Sequence, residues 1–270
     1  MLFSLLQIWM LSRALMEAPE YEPPFVRGAY NVAYKEANGA PLMLDVLTPA
    51  EGAGPFPAVV IVHGGLWLTN DRLQYRDFAL GLARRGFAAV NIDFRLDAAS
   101  GFAGQVNDIK DAIRFLRANA ALFAIDPDRI GIYGSSSGGH LAALAAFAGD
   151  GEGVDDDPPG LDSAVQSCFL LYGVYRFDPG VEGFIAEIIA DYAGAQSPDD
   201  ADALAFWSPM EYIDGNEPPT LMVHGEKDKV APVFIARDAA KRLRSQGVPA
   251  GVYEWPRHAH GFGELRPWSR

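Results

Sequence analysis

Apolar residues along this chain fall into two kinds of spacing. Ala58–His63, Phe87–Asp93, Arg129–Tyr133, Val165–Tyr172, Pro219–His224 and Ala250–Trp255 are short apolar runs rich in β-branched side chains. Such runs predict strands buried on both faces of a sheet. Between them, Arg72–Arg85 and Asn107–Ala121 show helical periodicity; Ile109, Ile113 and Leu116 share a face in the second. Leu141–Phe147 is a run of strong helix formers, and Val233–Gln246 is a further helix closed by Gly247. Two more strand-like runs, Val32–Lys35 and Leu42–Thr48, open the series. The alternation predicts an α/β domain with a mostly parallel sheet covered on both faces.

Two stretches interrupt the pattern. Gly149–Asp162 is acidic and rich in Gly and Pro, and reads as a surface loop. Tyr175–Ile213 is longer and aromatic, with a helical piece at Phe184–Tyr192. It reads as an insertion over the carboxyl ends of the strands, where open α/β sheets bind ligands. At the amino end, Leu2, Leu5, Leu6, Trp9 and Met10 lie at helical spacing within Met1–Met16. That stretch is too short and interrupted for a membrane span, which needs about 20 apolar residues. It also lacks the basic start of a secretory signal. It reads as an amphipathic helix packed on its own domain, with a flap over the site, a homodimer contact or an atypical leader as alternatives. Pro19, Pro23 and Pro24 then form a linker. The chain thus divides into a helix and linker, 1–25, and one domain, 26–270. Gly261–Trp268 is a short terminal segment.

Composition narrows the function. A chain of 270 residues, 49% hydrophobic and 21% charged, suits one large α/β domain. The net charge of −13, without any Lys/Arg block, argues against a nucleic-acid partner. The single cysteine, Cys168, lies in an apolar run and reads as a buried hydrophobe. No histidines and cysteines have zinc-ligand spacing, so neither a metal nor another cofactor is expected. The location is read as cytoplasmic.

The chemistry gathers at strand ends. Gly134, Ser136 and Gly138 make G-x-S-x-G between the Arg129–Tyr133 strand and a helix. In that setting the middle serine sits exposed on a sharp turn, while glycines either side let strand and helix approach. A serine hydroxyl then needs a base, a group to orient the base, and donors for the oxyanion. Gly64-Gly65-Leu66 follows the strand ending at His63 and can turn its N–H groups toward a substrate oxygen; Ser137 would add its own N–H. Asp228 lies just past the Pro219–His224 strand, with Glu226 as an alternative acid. After the last strand come His258 and His260, which compete as base. The order Ser, Asp, His suits an α/β-hydrolase elbow. His63, His140 and His224 read as structural; Asp108 and Arg129 read as surface or loop-fixing charges. Asp93-Phe-Arg95 either frames the pocket or holds the fold. A P-loop is disfavoured, since Gly134–Gly139 carries no lysine.

Taken together, His63-Gly-Gly-Leu-Trp67, Asp93-Phe-Arg-Leu96, Asp126 through Ala142, His224-Gly-Glu-Lys-Asp228 and His260-Gly-Phe262 resemble the hormone-sensitive-lipase-like carboxylesterases. The nearest branch is BD-FAE, similar to acetylxylan and feruloyl esterases and grading into kynurenine formamidases. The resemblance covers roughly Val26 to Gly263. It implies an α/β-hydrolase fold, with a small cap from the N-terminal helix and the 175–213 insertion, and a carboxylic ester hydrolase acting on a small-molecule ester. It implies Ser136 as nucleophile, Asp228 as acid and His260, directly before Gly-Phe, as base. Gly65, Leu66 and Ser137 match the oxyanion donors. Leu66 departs from the family's third glycine, and His258 is a second histidine beside the base. Leu66, Trp67 and Trp207 would crowd the site and favour small acyl groups; Tyr175 is a further expected pocket residue. The rivals are an arylformamidase or peptidase on the same triad, and a non-catalytic receptor.

Overall fold

Eight strands form one sheet in the order β1-β2-β4-β3-β5-β6-β7-β8. The strands are β1 (Val26–Ala37), β2 (Ala40–Pro49), β3 (Phe56–Val62), β4 (Ala88–Ile92), β5 (Ile125–Ser135), β6 (Ser167–Leu171), β7 (Thr220–Gly225) and β8 (Ala250–Trp255). The structure is a computed structural model and describes residues 23–149, 154, 162–177 and 184–262. The helix expected at Met1–Met16, with its cap role and the linker as far as residue 22, lies outside the described residues. So do most of the Gly149–Asp162 loop and of the Gly261–Trp268 segment.

From β4 to β8 every neighbouring pair is parallel. β2 pairs antiparallel with β1 and with β4. The β1–β2 hairpin turns at Asn38-Gly39, both at positive φ, as a tight two-residue connection requires. Parallel pairing places the carboxyl ends of β3, β5, β7 and β8 along one edge of the sheet.

Six helices are described: α1 (Arg76–Ala83), α2 (Gly101–Ala118), α3 (Ser137–Phe147), α4 (Phe184–Ala193), α5 (Ala201–Phe206) and α6 (Val233–Ser245). Side-chain alternation along the strands divides the core. Val60, Val62, Val90 and Ile92 join α2, α3 and α6 in one buried cluster; Ile61 and Ala89 join α1 in another. Helix α3 is apolar and buried almost all round, so it belongs wholly to the interior.

The elements depart from the sequence reading at their ends. Helix α2 starts six residues before Asn107; Gly101 and Gly104, both poor helix formers, mask its first turn in the sequence. Asp108 is buried, holding Arg95 at 2.8 Å and Lys35 at 2.8 Å and accepting the Arg95 N–H at 3.0 Å, so of the two expected roles it fixes a loop and is not a surface charge. The Arg72–Arg85 helix begins with a 3-10 turn at Arg72–Tyr75, capped by the Asp71 carboxylate on the Leu73 N–H. Strands β1 and β5 each start earlier than their apolar runs.

Candidate active site

Ser136 stands between β5 and α3 with φ 53° and ψ −123°, a conformation costly for a residue with a side chain. The turn closes because of the glycines around it. A Cβ on Gly138 would lie 2.2 Å from the His63 carbonyl oxygen, and one on Gly134 would lie 2.2 Å from that of Gly138. The Ser136 N–H donates to the Leu171 carbonyl at 2.9 Å, which fixes the corner to β6. Ser135 is buried and its hydroxyl bonds that of Tyr75 at 2.6 Å.

Three strand ends converge here. His260 Nε2 is 2.7 Å from Ser136 Oγ, across 124 positions of sequence. His260 Nδ1 is 2.7 Å from Asp228 Oδ2. Asp228 Oδ1 accepts the N–H groups of Val230 and Ala231 at 2.9 Å each. Burial pushes the Asp228 carboxyl up, but bonds from His224, His260 and the Ala231 N–H outweigh it and hold the group well below the usual carboxylate range. An ionised carboxylate only accepts, so His260 Nδ1 carries the proton and Nε2 presents a lone pair to the serine hydroxyl.

The competing residues lie elsewhere. Glu226 is exposed. His258 Nδ1 donates to the Pro256 carbonyl at 2.8 Å, and its own carbonyl accepts the Lys227 N–H at 2.9 Å. It therefore braces the loop of the acid. His224, read from the sequence as a strand-end residue, is fully buried with Nε2 on the Ala231 carbonyl at 2.6 Å and 3.3 Å from Asp228 Oδ2. No motif spacing separates that role from a plain core histidine.

On the other side of Ser136 the donor loop has positive φ at Gly65 (130°), Leu66 (55°) and Trp67 (65°). A Cβ on Gly65 would lie 2.2 Å from the Thr69 carbonyl oxygen. The Gly64 carbonyl accepts from His63 Nδ1 at 2.9 Å and from Asn70 Nδ2 at 3.0 Å. His63 stacks on Phe94 at 4.3 Å, and burial lowers its pKa, so it is a neutral loop anchor. Asp93 accepts Arg72 at 2.6 Å and Arg95 clasps Asp108, so this segment holds the fold. Cys168 is buried, and burial pushes its thiol up.

A cavity of about 180 Å³ opens onto Ser136, Ser137, His260, Leu66 and Trp67. Tyr175 and Trp207, expected to line it, do not. Tyr175 is fully buried, its hydroxyl accepting the Gly173 N–H at 3.2 Å. Trp207 turns its indole N–H to the Ala193 carbonyl at 3.1 Å. Each satisfies its polar atom inward, where no solvent could. The apolar walls come instead from Phe177, from Ile185 and Ile189 of α4, and from Pro232, Phe234 and Ile235. Only the i, i+4 spacing of Ile185 and Ile189 hinted at this wall in the sequence.

Comparison with known proteins agrees with this architecture. The BD-FAE family model matches residues 44–243. Esterase LipC of Mycobacterium tuberculosis is 32% identical over 221 residues, covering 78% of this chain and 54% of that protein. The chain thus spans about half the length of the mycobacterial esterases it matches. Among solved structures, an esterase of Thermogutta terrifontis, described with propionate bound, superposes with a TM-score of 0.74 at 27% identity, covering 90% of this chain and 87% of that one. A truncated carbohydrate esterase from gut microbiota superposes with a TM-score of 0.78 at 25% identity, covering 92% and 94%.

Proposed function

The chain belongs to the BD-FAE family of α/β-hydrolases, and from that membership we propose that it is a serine carboxylesterase for esters of short acyl groups. The observation that carries the reading is the unbroken chain from Asp228 through His260 to Ser136, with both contacts at 2.7 Å, opening on an apolar cavity.

In this reading His260 takes the Ser136 proton as the oxygen attacks the ester carbonyl. Asp228 keeps the imidazole in the tautomer that can accept and stabilises the imidazolium that forms. The N–H groups of Gly65, Leu66 and Ser137 receive the developing oxyanion; one such donor is worth about 3–4 kcal/mol. Collapse expels the alcohol, protonated by His260, and leaves an acyl-enzyme on Ser136. Water, deprotonated by the same imidazole, then releases the acid.

The short-acyl preference is supported by the cavity of about 180 Å³, closed by Leu66 and α4, and by the propionate-bound Thermogutta neighbour. The test is turnover of p-nitrophenyl esters from acetate to decanoate by the parent chain and by Ser136→Ala. The expected result is highest kcat/KM at two to four acyl carbons, and a loss of kcat of at least about 1,000-fold in the variant. Retention of most turnover by Ser136→Ala overturns the mechanism. An optimum at decanoate overturns the acyl preference alone.

A further inference from the structure

Two of the three left-handed residues in the donor loop, Leu66 and Trp67, carry side chains. That backbone costs each of them about 1–2 kcal/mol, so the loop keeps its shape only if its surroundings hold it. The Leu68 and Thr69 N–H groups close the turn on the Gly65 carbonyl at 3.1 Å each, and its ties to the surrounding helices run through Trp67. Its carbonyl accepts Gln105 Nε2 at 2.8 Å, and its indole Nε1–H donates to His140 Nδ1 at 3.1 Å.

His140 is fully buried on α3, the helix that begins with Ser137. Its Nε2 lies 2.8 Å from the Trp207 carbonyl. A carbonyl only accepts, so Nε2 carries the proton and Nδ1 is left as an acceptor for the indole. Burial lowers the pKa to about 4, so the ring stays neutral through the neutral range. Phe102 and Phe177 enclose both rings and fix their orientation. The acceptor that sets Trp67 and the helix that presents the Ser137 N–H are therefore one rigid piece.

We propose that His140 is a positioning residue for the oxyanion donors. By accepting the Trp67 indole proton it holds the Leu66 N–H in its left-handed turn. By donating to the Trp207 carbonyl it ties that turn to the 175–213 insertion. The inference rests on the esterase reading above, since it assigns a role within the same site.

The test compares the parent chain with Trp67→Phe, His140→Leu and His140→Asn, and with His140→Asn and His140→Leu in the Trp67→Phe background. kcat and KM are measured on p-nitrophenyl butyrate, with inhibition by a trifluoromethyl ketone, whose adduct carries an oxyanion. Trp67→Phe and His140→Leu are expected to lower kcat by about 30-fold or more, short of the roughly 100- to 1,000-fold cost of losing an oxyanion donor outright. KM stays within about threefold, and ketone affinity falls in parallel with kcat. His140→Asn, whose amide oxygen can accept the indole proton, recovers most of the loss with Trp67 present and none in the Trp67→Phe background. If His140→Leu does not fold, Trp67→Phe decides. Turnover that persists within twofold in Trp67→Phe, or ketone affinity unchanged while kcat falls, overturns the positioning role and leaves the esterase reading standing. Absence of any Ser136-dependent turnover in the parent overturns both.

Discussion

Asp228 has both carboxylate oxygens occupied, one by two backbone N–H groups and the other by two imidazoles. An acid so held orients its base firmly, and of the two histidines that follow β8 only His260 reaches it. His260→Ala is expected to lower kcat on p-nitrophenyl acetate by at least about 1,000-fold. His258→Ala should keep turnover within about tenfold, because it loses the side-chain bond to the Pro256 carbonyl and no reacting group, while its backbone carbonyl still braces Lys227. Equal losses in the two variants would contradict this assignment. His140 carries a second residue-scale consequence. Its pKa in the fold is about 4 against an ordinary 6.5, so the unfolded chain binds the proton more readily. The stability tied to neutral His140 is whole above about pH 6.5 and is lost as the pH falls toward 4. The loss is about 3 kcal/mol over that window. Urea unfolding at pH 7 and pH 4.5 should show it in the parent and a much smaller difference in His140→Asn.

At the scale of elements, α4 supplies part of the apolar wall of the cavity. It comes from the 175–213 insertion, which was legible as an interruption of the strand–helix alternation. Its contribution of Ile185 and Ile189 to the wall, and the short helix α5, were not. A wall residue and a core residue share the same apolar spacing, so periodicity cannot separate them. Ile185 is partly buried and lines the cavity, so trimming it enlarges the space at little cost to the fold. Ile185→Ala is expected to move the acyl preference toward longer chains. Each further buried methylene is worth about 0.8 kcal/mol, or about fourfold. The ratio of kcat/KM for hexanoate over acetate should therefore rise at least about fourfold; an unchanged ratio would place the acyl chain elsewhere.

At the scale of the whole molecule, the parallel pairing from β4 to β8 assembles the site. Loops from four strands meet only because their carboxyl ends share one edge. The net charge of −13 acts at the same scale. It repels an anionic ester at a distance, and salt removes that repulsion as the screening length shrinks from about 30 Å at 0.01 M to about 8 Å at 0.15 M. kcat/KM for a half-ester carrying a free carboxylate should rise about threefold over that range, while a neutral ester changes by less than about 1.5-fold. A neutral ester that responds equally would remove the electrostatic explanation.

What the sequence determined by itself was local or ordinal. The elbow around Ser136 is written in glycine spacing, because a Cβ at Gly134 or Gly138 would strike backbone. The order of donor loop, serine, acid and histidine follows from which strand each residue succeeds. Only the tertiary structure separated His260 from His258 by geometry, turned Tyr175 and Trp207 into the core, and set His224 against the acid. It also joined Trp67 to His140 across 73 positions. Those outcomes depend on which polar atom finds a partner at a given depth. Depth and direction arise only when distant strands lie side by side.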